Sequence, residues 1–184
     1  MGNVLVIQGS ARDDGGTAHA VRRLETGLGG AHAHTVDLAA LDIQPFRYGA
    51  APLDDGFEPT IRRMLEASAV VFATPVYWYA MSGVMKVFFD RLADLTVHPE
   101  RRPMGRALAG REAWLMALGT DLELPSCVTD PFRLTADYFD WRWREALYVR
   151  CVGDEPPAER QMATVEAFGR RIAASITHRD TGKS

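Results

Sequence analysis

Three stretches of this chain bring together residue types that can hold a ligand. The first is GSARDDGGT, Gly9 to Thr17. Its glycines, Gly9, Gly15 and Gly16, let the backbone curl so that successive N–H groups point inward as an anion nest. A helix beginning near Thr17 adds its positive end. Ser10 and Thr17 place hydroxyls at both ends of the loop, and Arg12 is its one cation. That donor set suits a phosphate monoester held largely by neutral groups. Asp13 and Asp14 would repel phosphate unless they face water, which a loop tip allows. The same residues also read as a plain strand-to-helix turn capped by Thr17. The loop is neither GxxxxGK[ST] nor GxGxxG. A phosphate-accepting receiver domain would end its first strand in carboxylates, and the residues there are Ile7-Gln8-Gly9.

The second stretch is TPVYWYAMSG, Thr74 to Gly83. It sets Tyr77, Trp78 and Tyr79 behind Pro75 directly after an apolar run. Surface loops avoid such clusters, because contiguous exposed apolar area marks a binding or interaction site. A flat polycyclic ring would account for it: Tyr77 and Trp78 offer faces or edges for stacking, and the backbone from Pro75 through Val76 to Trp78 offers N–H groups. Burial in the core or at a subunit interface would account for it equally. The third stretch, GTDLELP, brings the small Gly119-Thr120 pair to the end of another apolar run.

The elements around these stretches decide whether they can meet. Residues 3–8, 69–74 and 112–119 are short, nearly continuous apolar runs, the pattern of strands buried on both faces. Residues 32–38 and 146–152 complete five strands. Helical patterns follow over 17–28, 59–66, 83–95, from about 128 to near Trp141, and over 157–176. Residues 42–57 read as a connecting loop, and the basic segment 98–110 as exposed. Alternating strands and helices give an α/β fold with a parallel sheet covered on both faces. Right-handed crossovers leave few topologies, and five strands fit the order 2-1-3-4-5. In such sheets ligands bind at the carboxyl ends of strands where the order reverses, so topology alone brings the loops after the first and third strands to one place.

GSARDDGGT followed by TPVYWYAMSGVMKVFFDRL resembles the NAD(P)H-dependent FMN reductase and quinone reductase families of the flavodoxin-like superfamily. Gly9, Ser10, Arg12, Gly15 and Thr17 match the first motif. Pro75, Tyr77, Gly83, Lys86, Asp90 and Arg91 match the second. The resemblance implies a flavodoxin-like three-layer sandwich over residues 1–177 followed by a polar tail at 178–184. It implies an FMN phosphate at Ser10, Arg12 and Thr17, with the flavin ring near Pro75, Val76, Tyr77 and Trp78 and touched by Gly119 and Thr120. At Gly16 many members carry Asn or Ser, so one phosphate donor is missing here. The implied chemistry is transfer from NADPH or NADH to a quinone, a flavin or a similar small acceptor. A flavodoxin-type electron carrier is the alternative. The resemblance also implies a homodimer or higher homo-oligomer.

Composition narrows the field. The chain has 184 residues, 47% hydrophobic and 24% charged, with net charge −3, which gives no electrostatic reason to expect nucleic acid. The N-terminus lacks the basic flank of a secretory signal. No apolar stretch reaches the ~18 residues of a membrane-spanning helix. Two cysteines without a CxxC pair suit a reducing cytoplasm. Of the five histidines only His32 and His34 have ligand-like spacing, and carboxylates do not cluster beside them, so no metal is expected. CVTDPFR, Cys127 to Arg133, matches a C-x5-R phosphatase pattern, but Pro131 lacks the N–H such a cradle needs. Lys86 and Asp90 are spaced for an i,i+4 ion pair.

Overall fold

A computed structural model describes residues 2–29, 31–49, 51, 53–151 and 157–180. Five parallel strands form the sheet: β1 (Asn3–Gln8), β2 (His32–Asp37), β3 (Ala69–Tyr77), β5 (Glu112–Gly119) and β6 (Arg142–Arg150). Their order is β2-β1-β3-β5-β6, and a two-residue strand β4 (Ala80–Met81) pairs antiparallel with β3. Apart from β4, this is the expected topology, with the order reversing between β1 and β3. β1 and β3 lie side by side, Leu5 opposite Val70 and Ile7 opposite Phe72.

Side-chain alternation along the strands feeds two cores. Leu5, Ile7, Val70, Phe72 and Leu115 point to the face covered by α2 (Phe57–Glu66), α3 (Gly83–Arg91) and α6 (Ser126–Tyr138). Val4, Val6, Val71 and Met116 point to the face covered by α1 (Gly16–Leu28) and α7 (Glu159–Asp180). Both faces of the central strands are apolar because both are covered. α1 and α7 touch backbone to backbone: a Cβ on Gly27 would stand 2.1 Å from the Glu166 carbonyl oxygen. Among the described residues no helix is long and apolar enough to cross a membrane, and no group of three potential metal ligands occurs.

Several elements differ from the sequence expectation. β6 begins at Arg142, where alternating Trp and Arg form the first half of the strand. It lies at the sheet edge, so alternation replaces a continuous apolar run. The basic segment after His98 is not uniformly exposed. It contains α5 (Arg102–Ala107), and Arg101 and Leu108 are buried. Arg101 is drawn in by Asp94 at 3.1 Å and Glu58 at 2.8 Å, and paired charges tolerate burial. The helix expected over 83–95 breaks at Leu92, and a short α4 (Asp94–Val97) follows. α7 runs on to Asp180, three residues into the expected tail, and residues 181–184 lie outside the described residues. The C-x5-R stretch is helical throughout, within α6.

Candidate functional site

The segment after β1 leaves the sheet through Gly9, whose N–H bonds the Ala73 carbonyl of β3 at 2.8 Å. Only glycine fits there: a Cβ would lie 2.8 Å from Met85 Cβ. Ser82 ties the neighbouring loops together. Its hydroxyl donates to the Gly9 carbonyl at 2.5 Å and accepts the Met85 N–H at 3.2 Å, capping α3. Its own N–H donates to the buried Thr74 hydroxyl at 3.1 Å.

α1 starts at Gly16 behind an extended Gly15, and no side chain caps it. Thr17 is therefore inside the first turn, which removes the plain reading of a Thr-capped turn. The first-turn N–H groups, which a helix cannot satisfy internally, stay open at its positive end. Ser10 is 4% exposed; its oxygen accepts the Arg12 N–H at 3.3 Å. The Arg12 guanidinium sits at the mouth, paired with Asp14 at 3.3 Å, both well exposed.

A cleft of about 210 Å³ opens over the sheet edge, lined by the segments after β1, β3 and β5. Nine of the ten residues singled out in the sequence border it: Ser10, Arg12, Gly16, Thr17, Pro75, Val76, Tyr77, Gly119 and Thr120. Trp78 does not. β3 continues through Tyr77 into a tight hairpin with β4, and Trp78 and Tyr79 form its two-residue turn with φ of 50° and 62°. Such turns are ordinarily Asn-Gly or Gly-Gly, so two aromatic residues there carry backbone strain. Trp78 is 95% exposed.

The cleft also includes His19 and Cys151. His19 lies one turn into α1, where only the helix phase would reveal it. Cys151 follows β6 directly, so the carboxyl end of the fifth strand was its signal. Burial pushes the Cys151 thiol above its ordinary pKa. The side chain of Cys151 faces Gly16, where a Cβ would lie 3.5 Å from its sulfur.

The donor set fits a phosphate monoester: open first-turn N–H groups, a buried hydroxyl and one cation at the rim. The opposite wall fits a flat ring: Pro75, Val76 and Tyr77 and, beside them on the neighbouring strand, the bare backbone of Gly119 form one surface. Comparison with known proteins shows the family. The family model for NADPH-dependent FMN reductase matches residues 3–123. The Bacillus subtilis protein YwqN, by name an NAD(P)H-dependent FMN-containing oxidoreductase, is 28% identical over 121 residues, 64% of this chain and 67% of that one. An iron-sulfur flavoprotein of Methanocaldococcus jannaschii is 27% identical over 116 residues, 58% of this chain and 60% of that one. Among solved structures, the Trp repressor binding protein from Bacillus subtilis superimposes with a TM-score of 0.69 at 21% identity, covering 92% of this chain and 98% of that one. A WrbA-like flavodoxin from Agrobacterium tumefaciens gives 0.71 at 15% identity, covering 97% and 99%. These two share the flavodoxin-like fold. The chain belongs to the NADPH-dependent FMN reductase family, whose cofactor is FMN and whose electron donor is NAD(P)H.

Proposed function

We propose that this cleft holds FMN with its phosphate on the segment Ser10–Thr17 and its ring against Pro75–Tyr77 and Gly119–Thr120, and that the protein reduces a small planar acceptor, a quinone or a free flavin. The observation that carries this reading is the convergence of three separate strand-end segments on one cleft, one rich in phosphate donors and the others offering a flat apolar slot. When bound, FMN would supply the two-electron redox chemistry that links NAD(P)H to the acceptor.

The chain's own residues bind and orient. The first-turn N–H groups of α1, with the Ser10 and Thr17 hydroxyls, hold the phosphate oxygens, and Arg12 closes over them from its perch on Asp14. Pro75, Val76 and Leu118 exclude water from the slot. The half-exposed Tyr77 flanks the open side, where its hydroxyl can donate to an acceptor's carbonyl. A flavone reductase among the similar folds, with a TM-score of 0.71 at 18% identity, is in keeping with a planar aromatic acceptor. The family resemblance adds to this reading a cytoplasmic protein that is a homodimer or higher homo-oligomer.

The test is the visible spectrum of the protein with FMN added, followed anaerobically after NADH or NADPH. A bound-flavin spectrum that bleaches with either nucleotide and recovers on adding a quinone supports the reductase. A bound flavin that stays oxidised points to an electron carrier.

A further inference from the structure

Three successive carbonyls at the end of β5, those of Gly119, Thr120 and Asp121, are all held from β6 and the residue after it, and the first two of these residues border the cleft. The Cys151 N–H donates to the Gly119 carbonyl at 2.7 Å. Arg150 Nε donates to the Thr120 carbonyl at 3.3 Å. The Tyr148 hydroxyl donates to the Asp121 carbonyl at 3.2 Å. In a planar trans peptide, the C=O of one residue and the N–H of the next point in opposite directions. Three successive carbonyls drawn to β6 therefore turn the N–H groups of Thr120, Asp121 and Leu122 away from it. β6 flanks β5 on one side, and β3, which carries Pro75, Val76 and Tyr77, flanks it on the other. None of these three N–H groups donates to a described residue. Successive oriented N–H groups form a receptor for electron-rich atoms.

We propose that Tyr148 and Arg150 are positioning residues: by holding the Asp121 and Thr120 carbonyls, they turn the N–H groups of residues 120–122 away from β6 toward the cleft that Gly119 and Thr120 border, where these grip the carbonyl-and-nitrogen edge of the flavin ring. This rests on the FMN placement given above. The tight fit around Gly119 belongs to the same device. A Cβ there would lie 2.8 Å from Tyr148 Oη and 3.1 Å from Val76 Cβ, so glycine leaves Tyr148 room to reach Asp121. Burial and the Asp121 carboxylate raise the Tyr148 pKa, which keeps the hydroxyl a donor. N–H groups facing that edge favour the electron-richer reduced ring, so the two side chains set the flavin's potential as well as its affinity.

The experiment compares Tyr148→Phe and Arg150→Ala with the parent protein for the dissociation constants of FMN and riboflavin and for the midpoint potential of bound FMN. Riboflavin lacks the phosphate and reports ring contacts alone. Each variant is expected to weaken both flavins by the same factor, about fivefold for one lost hydrogen bond. The potential should move negative, and the melting temperature of the flavin-free protein should fall by no more than about 2–4 °C, the cost of that one hydrogen bond. Arg12→Ala, by contrast, should weaken FMN and leave riboflavin unchanged. The proposal is overturned if both variants leave the two affinities and the potential unaltered while Arg12→Ala still weakens FMN. It is also overturned, together with the FMN placement itself, if the parent protein binds neither flavin. Arg150 is exposed, so its variant answers the question even if Tyr148→Phe folds poorly.

Discussion

Replacing Gly16 by Ser should tighten FMN binding. Gly16 is the first residue of α1 and borders the cleft. A Cβ built on it would meet Cys151 Sγ at 3.5 Å, Pro157 Cδ at 3.8 Å and Leu118 Cδ2 at 3.9 Å, all ordinary contacts. The side chain therefore enters without displacing a neighbour, and its hydroxyl joins the open N–H groups of the first turn. A hydrogen bond to a charged group contributes about 1.5–3 kcal/mol. Fixing the serine rotamer takes back about 0.5–1 kcal/mol. The remaining ~1–2 kcal/mol corresponds to a dissociation constant about 5- to 30-fold lower. Losing a helical glycine also adds about 0.5 kcal/mol to the flavin-free protein, roughly 1–2 °C in melting temperature for a chain of this size. The assay is flavin fluorescence quenching with FMN and riboflavin in parallel, and only the FMN curve should move. An unchanged or weaker FMN constant in a protein that melts no lower than the parent would refute a phosphate seat on this turn.

Arg91→Met tests the buried charges at the C-terminal end of α3. Arg91 is 1% exposed and bonds Asp55 at 2.5 Å and Asp94 at 2.9 Å. Breaking a buried pair costs about 3–5 kcal/mol; Asp55 keeps the Phe57 and Gln44 N–H groups, and Asp94 keeps Arg101, which favours the lower figure and a melting point about 6–12 °C down. The same pairing sets a pH trend. Burial alone would raise the Asp55 pKa, but bonds from Arg91 and two backbone N–H groups outweigh it and hold it below the ordinary value. That stabilisation is present above the unfolded carboxylate pKa and is lost as pH falls through the folded one, so parent and variant melting curves should converge in acid; parallel curves down to pH 3 would contradict the assignment. Trp78→Ala should leave FMN affinity within about twofold, whereas Tyr77→Ala should lower it about five- to tenfold by removing buried aromatic area; equal losses would put Trp78 back in the site. Iodoacetamide at pH 8 should alkylate exposed Cys127 before Cys151, whose raised pKa leaves less thiolate, and FMN should slow Cys151 further; equal rates, unaffected by FMN, would count against the cleft wall described.

Much of the fold was legible because β1, β3 and β5 are buried on both faces and read as plain apolar runs. The cleft was legible for a topological reason: once the strand order reverses between β1 and β3, the segments after them must meet. What was hidden depends on tertiary partners. Arg101 looks like a solvent residue until Asp94 and Glu58 are brought beside it by other helices. The first half of β6 alternates Trp and Arg because it is an edge, and an alternating run carries no sign of which sheet it joins. The hairpin at Trp78-Tyr79 lacks the Asn or Gly that announces such a turn, so Trp78 was expected in the slot and lies outside it. Cys151 and His19 become visible only when the strand end and the helix phase are fixed.

Ser82 has a kinetic consequence. One hydroxyl bonds the backbone of the segment after β1 and the head of α3, while its N–H bonds Thr74 in β3. The two walls of the cleft therefore shift as one piece rather than separately. Little order is left to be created when a cofactor arrives, so the entropy of assembling the site has been spent during folding. Uptake then proceeds in a single phase whose rate scales with cofactor concentration, without a slow closing step after encounter, and the same stiffness lets a flavin leave intact from a seat that does not collapse behind it.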